Sequence, residues 1–270
     1  MKYILENPNE FERLEKQSQH ELYDFKSELL DLPVNNPQFV LDAGCGSGIV
    51  TRHLALTYPS AHVVGCDFSA ERILKAQEFD LNPKNVHFFH ENLHSLSFSE
   101  NSFDLIVCRY VLEHVDQGML NTVLAQLYKV LKPNGVIRLI DMDGYFFNLY
   151  PQTKLIKEFS EKFLQNKSID LFVGRKFPSH LKFAGFQDVS WRIQTMDFHG
   201  KHRQEEINLI TERFAHVLPL AVATLNSVEK ARALQQEYLE LLSDPTTVLF
   251  YNKFIVTARK PTHLAVINNR

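Results

Sequence analysis

The sequence predicts a doubly wound, mainly parallel α/β sheet, and three observations carry that prediction. An apolar run at residues 39–42 opens into glycines at 44, 46 and 48 before a helical pattern begins. Five short apolar runs, at 39–42, 62–66, 86–89, 103–108 and 136–141, alternate with helical patterns near 48–58, 69–80 and 118–131. Lys132-Pro133-Asn134-Gly135 then reads as a helix stop and turn just before the fifth run. Such alternation packs helices on both faces of a parallel sheet.

Residues 9–31 set Phe11, Leu14, Leu22, Phe25 and Leu29 on one stripe, which predicts a single amphipathic helix. Asn9 is its expected cap, Glu10 and Glu12 favour its first turn, and Pro33 with Asn35-Asn36-Pro37 ends it. Ser69 is the expected cap of the helix at 69–80, and Leu120, Val123, Leu124, Leu127 and Leu131 form the buried stripe at 118–131. Beyond Asp141 the pattern loosens. Residues 144–184 are aromatic-rich and helical in pieces, 188–198 and 253–259 read as strands, and 203–242 between them as helix.

A chain of 270 residues with 44% hydrophobic content buries a substantial core. A net charge of −3 gives no basic field for tracking phosphate backbones, so nucleic acid is not the favoured partner. No apolar run is long enough to span a bilayer, and the first eight residues do not read as a signal peptide. Cys45, Cys66 and Cys108 lack any C-x-x-C spacing; they read as small buried residues of a reduced, cytoplasmic protein without a metal site.

A glycine-rich turn from strand to helix lets bare backbone approach a nucleotide-like cofactor. Nicotinamide-dependent oxidoreductases need G-x-G-x-x-G for this, but here the spacing is G-x-G-x-G, with Ile49 where their third glycine falls. The string Asp42-Ala43-Gly44-Cys45-Gly46-Ser47-Gly48 instead resembles motif I of the class I S-adenosylmethionine-dependent methyltransferases. Further motifs follow in family order: Asp67 after the second strand, Glu91-Asn92-Leu93 after the third, Val111-Leu112-Glu113-His114-Val115 after the fourth, and the Lys132-Pro133-Asn134-Gly135 turn.

The resemblance implies a Rossmann-like methyltransferase fold, S-adenosyl-L-methionine as cofactor and a small-molecule methyl acceptor. It implies cofactor contacts from Asp42, Gly44, Cys45, Gly46, Asp67, Phe68, Asn92, Leu93 and Arg109. Asp67 would accept from both ribose hydroxyls, Asn92 and Leu93 would meet the adenine, and Arg109 would pair with the methionine carboxylate. Asn92 departs from the aspartate usual in the family. His114, one turn beyond strand four, is the candidate general base. Asp141 and Asp143 flank Met142 at the end of strand five, one expected toward the pocket and one away.

The resemblance also divides the chain into an N-terminal helical lid (1–34), a methyltransferase core (35–198), a helical cap insertion (199–245) and the last strand with its tail (246–270). Arg13, Gln17 and His20 would face the cofactor from the lid, while Phe146, Phe147, Tyr150, Phe159, Phe163, Phe172, Phe177 and Phe183 read chiefly as core. Neither N-P-P-Y nor D-P-P-Y follows strand four, nor does a Pro-Cys nucleophile occur, which leaves O-, N- or C-methylation of a small molecule. The rival readings are a nicotinamide-dependent oxidoreductase and a non-catalytic protein that keeps the methyltransferase fold.

Overall fold

The computed structural model describes residues 10–18, 20–165 and 168–262. Five parallel strands, β1 (Phe39–Ala43), β2 (His62–Asp67), β3 (Val86–His90), β4 (Phe103–Arg109) and β5 (Leu131–Asp143), lie in the order β3-β2-β1-β4-β5. Strand β8 (Val248–Arg259) adds antiparallel to β5, and β7 (Gln187–Asp197) adds antiparallel to β8. A two-residue strand, β6 (Leu149–Tyr150), pairs with the start of β8. Chain order reverses between β1 and β4, so their carboxyl ends open a crevice suited to a ligand.

Side-chain alternation sorts the strands between two helical layers. Leu41, Ile106, Ile137 and Val256 pack with α5 (Leu120–Val130) and α7 (Phe177–Phe183). Val40, Leu105, Val136 and Ile255 pack with α2 (Phe25–Leu29) and α3 (Ile49–Thr57). Because a strand repeats every two residues, the buried runs read in the sequence serve both layers. Helix α4 (Ala70–Gln77) follows β2, and Ser69 caps it by accepting from the Arg72 N–H at 3.4 Å. A third apolar cluster joins α8 (Lys201–Leu225) and α9 (Val228–Ser243) to Met142, Tyr145 and Tyr251.

The single helix expected over 9–31 is three pieces: α1 (Glu10–Ser18), a 3-10 turn (Glu21–Tyr23) and α2. His20 Nδ1 accepts from the Leu22 N–H at 3.1 Å and Asp24 Oδ1 from the Lys26 N–H at 3.0 Å. These local side-chain acceptors restart the helix twice, which a hydrophobic stripe does not reveal. The expected Asn9 cap lies outside the described residues. The helix read at 203–242 is likewise two, parted at Asn226 (φ +53°), with Ser227 capping α9 through the Lys230 N–H at 3.1 Å.

Residues 20–29 are built into the body. Tyr23 and Glu28 have no exposed surface, and Phe25 and Leu29 are buried. Glu28 Oε2 lies 2.6 Å from Arg109 Nε of β4, and its Oε1 2.7 Å from Lys253 Nζ of β8. Arg138 of β5 donates to the Glu28 carbonyl at 2.5 Å, Arg109 to the Tyr23 carbonyl at 2.9 Å, and Lys253 to the Leu22 carbonyl at 3.1 Å. Removing the Glu28 carboxylate would strand buried cations, a loss of about 3–5 kcal/mol.

Glu206 of α8 is fully buried and accepts from the Tyr23 and Tyr251 hydroxyls, each at 3.2 Å. Burial pushes its carboxyl up to about 8 despite those two hydroxyls. A raised carboxyl pKa gives stability present below the unfolded value and lost as pH rises through the folded one. Urea melts should therefore show stability falling between about pH 4.5 and about 8, and Glu206→Gln flattening that fall by up to about 4–5 kcal/mol. A variant with the same pH slope as the parent would contradict this assignment.

Candidate active site

The turn after β1 is strapped to β2: the Gly44 and Cys45 N–H groups both donate to the Cys66 carbonyl, at 2.8 and 2.9 Å. Gly44, Gly46 and Gly48 all have positive φ, at +81°, +55° and +82°. The three glycines serve different ends. A Cβ on Gly44 would lie 2.3 Å from Val111 Cγ2, and one on Gly48 2.6 Å from the Phe88 ring, so both allow packing of protein on protein. Gly46 faces the crevice, and its nearest neighbour would be Leu14 Cδ1 of α1 at 3.0 Å. Helix α1 thus covers the turn, with Arg52 of α3 bound to its Glu15 at 2.9 Å.

Below the turn, Asp42 accepts the Thr51 hydroxyl at 2.6 Å. Burial pushes its carboxyl up to about 7, against the pull of that hydroxyl, and the Asp67 charge adds to the rise. Asp67 takes the Gly46 N–H on Oδ2 at 2.9 Å, and on Oδ1 the Ser69 N–H at 2.9 Å and Arg72 at 3.0 Å. Phe68 beside it is 48% exposed, a bare ring at the crevice rim. Asn92 Oδ1 accepts the His94 N–H at 3.0 Å, closing a turn that carries Leu93 to the same rim.

All nine residues expected at the cofactor line one cavity of about 520 Å³, and so does His114. The Arg109 guanidinium, at the cavity wall, is also engaged by Glu28 and the Tyr23 carbonyl. His114 closes a 3-10 turn, Leu112–His114, with its Nε2 3.2 Å from Glu113 Oε1. Asp141 Oδ2 holds that turn by accepting the Leu112 and Glu113 N–H groups at 3.0 and 3.1 Å. Burial drives the Asp141 carboxyl well above its ordinary range, and the Glu113 charge adds to it.

Neither Asp141 nor Asp143 reaches the cavity; Met142 does. Positions 141 and 143 share one face of β5, opposite 142, so the expected split between them fails. Asp143 instead holds Arg175 through two bonds of 2.6 Å. Arg13 and Gln17 of α1 line the cavity as expected, whereas His20 turns to α8, where Glu205 Oε2 lies 3.1 Å from its Nε2. The aromatic zone divides. Phe146, Phe147, Phe159 and Phe163 line the cavity, Phe177 is core, and Tyr150 and Phe183 are exposed.

Nothing in the sequence placed Tyr145, Arg213, Phe214 and Tyr238 on the far wall, which they make with Tyr110. Tyr110 holds a positive φ of +56°, rare for an aromatic residue, that no pattern announces. Phe214 and Tyr238 sit at helical spacing, where cavity lining and core look alike.

A family model described as a methyltransferase domain matches residues 40–135. Demethylmenaquinone methyltransferase of Lactococcus lactis is 32% identical over 146 residues, 53% of this chain and 54% of that protein. The protein of the same name from Listeria welshimeri is 33% identical over 175 residues, 56% of this chain and 69% of that protein. The chain therefore spans about half to two thirds of these curated relatives. Among solved structures, a Mycobacterium tuberculosis cyclopropane synthase superposes with a TM-score of 0.60 at 19% identity, covering 94% of this chain and 95% of that one. Phosphoethanolamine N-methyltransferase 2 of Haemonchus contortus gives 0.58 at 19% identity, covering 93% and 57%. These likenesses confirm the doubly wound fold.

Gly46→Val places a branched side chain in a left-handed conformation between Asp67 and Leu14. Calorimetry should show S-adenosylhomocysteine binding abolished while far-ultraviolet circular dichroism stays native. Unchanged affinity would contradict the role given to this turn.

Proposed function

We propose, for a chain that belongs to the class I S-adenosylmethionine-dependent methyltransferases, methyl transfer to a small, largely apolar acceptor. One observation carries the reading: a single cavity runs from the glycine turn to an aromatic wall supplied by the segment after β5 and by α8 and α9. The glycine end fits the cofactor, because Gly46 leaves the backbone bare and Asp67 stands beside it. A carboxylate offers about four acceptor sites. Three donors already lie on Asp67, so it has room for one ribose hydroxyl rather than two. Phe68 offers a ring face to the adenine, and the Leu93 backbone meets its edge.

At the opposite end of the cofactor, one carboxylate, Glu28, is shared by Arg109 and Lys253. Two cations on one anion leave positive charge over, and Arg109 carries it to the cavity wall, where the methionine carboxylate would balance it.

Bound S-adenosylmethionine supplies a methyl group already activated on a sulfonium. The chain supplies alignment and exclusion of water. Phe146, Phe159, Phe163 and Phe214 hold an apolar ring by contact area. The names of the two curated relatives carry the same acceptor class, a quinone. His114 takes the proton that the acceptor gives up, with Glu113 3.2 Å from its Nε2 to steady the imidazole.

Two measurements test the reading. S-adenosylmethionine should raise the melting temperature and NAD should not, since a ligand stabilises the state it binds. Incubation with methyl-labelled cofactor and reduced demethylmenaquinone should give a labelled ring in mass spectrometry, with turnover about a hundredfold lower for His114→Ala at near-native cofactor affinity. A melting shift with NAD alone overturns the reading. Unchanged turnover in the His114 variant assigns catalysis to alignment.

A further inference from the structure

Outside the cavity, His20, His202 and Glu205 gather at the junction between the N-terminal segment and the first turn of α8. His20 Nε2 lies 3.1 Å from Glu205 Oε2, and His202 Nδ1 lies 3.2 Å from the same oxygen. All three ligand atoms fall within 4.8 Å of one another. Tetrahedral zinc with bonds of about 2.0–2.1 Å separates its ligands by about 3.3–3.4 Å. Two edges of the triangle already stand at that spacing.

Hydrogen bonding accounts for only part of the arrangement: His202 Nδ1 donates to Glu205 Oε2 at 3.2 Å, while His20 Nε2 takes no part. The His20 side chain is 92% buried, being 8% exposed, and its Nε2 makes no hydrogen bond despite the nearby carboxylate. An N–H that donated to Glu205 would point at it. With Nδ1 accepting the Leu22 N–H, the neutral ring carries its proton on Nε2, a buried N–H left without a partner. The other nitrogen of His202, Nε2, faces Glu21 Oε2 at 3.8 Å, so a carboxylate stands ready to hold the ring once Nδ1 turns from Glu205 to a metal. Lys201 also sits on Glu21, at 2.9 Å.

We propose that His20, His202 and Glu205 form a site for a divalent transition cation of the zinc type, which staples the N-terminal segment to α8. Two imidazoles and one carboxylate are a borderline donor set, matched to zinc, cobalt or nickel rather than to calcium or magnesium. The fourth position is open to water. Two contacts must yield: ligation replaces the His202 Nδ1–Glu205 bond of 3.2 Å, the proton moving to Nε2 beside Glu21, and it costs His20 its cap. Ligation through Nε2 moves the remaining imidazole proton of His20 to Nδ1, which now accepts the Leu22 N–H at 3.1 Å. A helix cap is weaker than a metal–nitrogen bond, so the exchange favours the metal. The staple would join two walls of the cavity, because Tyr23 lies three residues from His20 and Arg213 lies on α8.

The test uses the full chain and the metal alone. Zinc chloride should raise the melting temperature saturably and reversibly on addition of a chelator, and cobalt should give the visible absorption of a four-coordinate site. His202→Ala and Glu205→Gln, which alter side chains outside the hydrophobic core, should each weaken binding at least tenfold. The Leu22 amide should exchange faster with zinc than without, since its cap is lost. A zinc shift that survives the His202→Ala/Glu205→Gln double variant, or no saturable shift at all, overturns the proposal. Neither outcome bears on methyl transfer.

Discussion

The carboxylate of Glu28, without exposed surface, holds Arg109 on one oxygen and Lys253 on the other, while Arg138 takes its carbonyl. Three strands, β4, β5 and β8, thereby grip one short helix by their cations. Buried charges of this kind are costly unless every member is met. The arrangement therefore fixes α2, and with it the 3-10 turn that carries Tyr23. Tyr23 and Arg109 both line the cavity, so the ion cluster sets the shape of the site it borders.

The division of labour around the cavity follows from that anchor. The sheet supplies fixed points at the strand ends: Asp67 after β2, Asn92 after β3 and the turn at His114 after β4. The helices after β5 and β7 supply an aromatic wall that packs on Met142, Met196 and Tyr251 of the sheet. The glycine-turn end of the cavity is thus polar and braced, and the opposite end is apolar. Only α1 covers the turn as a lid would, because residues 20–29 belong to the core.

Much of the core was legible because its signals are local. The glycine turn, the acidic ends of β1 and β2 and the alternation of runs each depend on neighbours in sequence. Breaks at His20, Asp24 and Asn226 were hidden, since each arises from one side chain or one φ angle within an unbroken apolar stripe. Partners from distant segments were hidden as well. That Arg109 shares Glu28, 81 positions earlier, with Lys253 is invisible in its own sequence neighbourhood. Phe214 and Tyr238 reach the cavity only through the packing of α8 and α9, which periodicity alone does not distinguish from burial.

The central claim is that Glu28 ties the N-terminal segment to the sheet and so completes the cofactor end of the cavity. Hydrogen exchange of Glu28→Gln, with calorimetry of S-adenosylhomocysteine binding to the same protein, tests it most directly. The account predicts faster exchange confined to residues 20–29 and weaker binding, with β1, β4 and β5 still protected. Unaltered exchange over 20–29, or uniform loss of protection through the sheet, would contradict it.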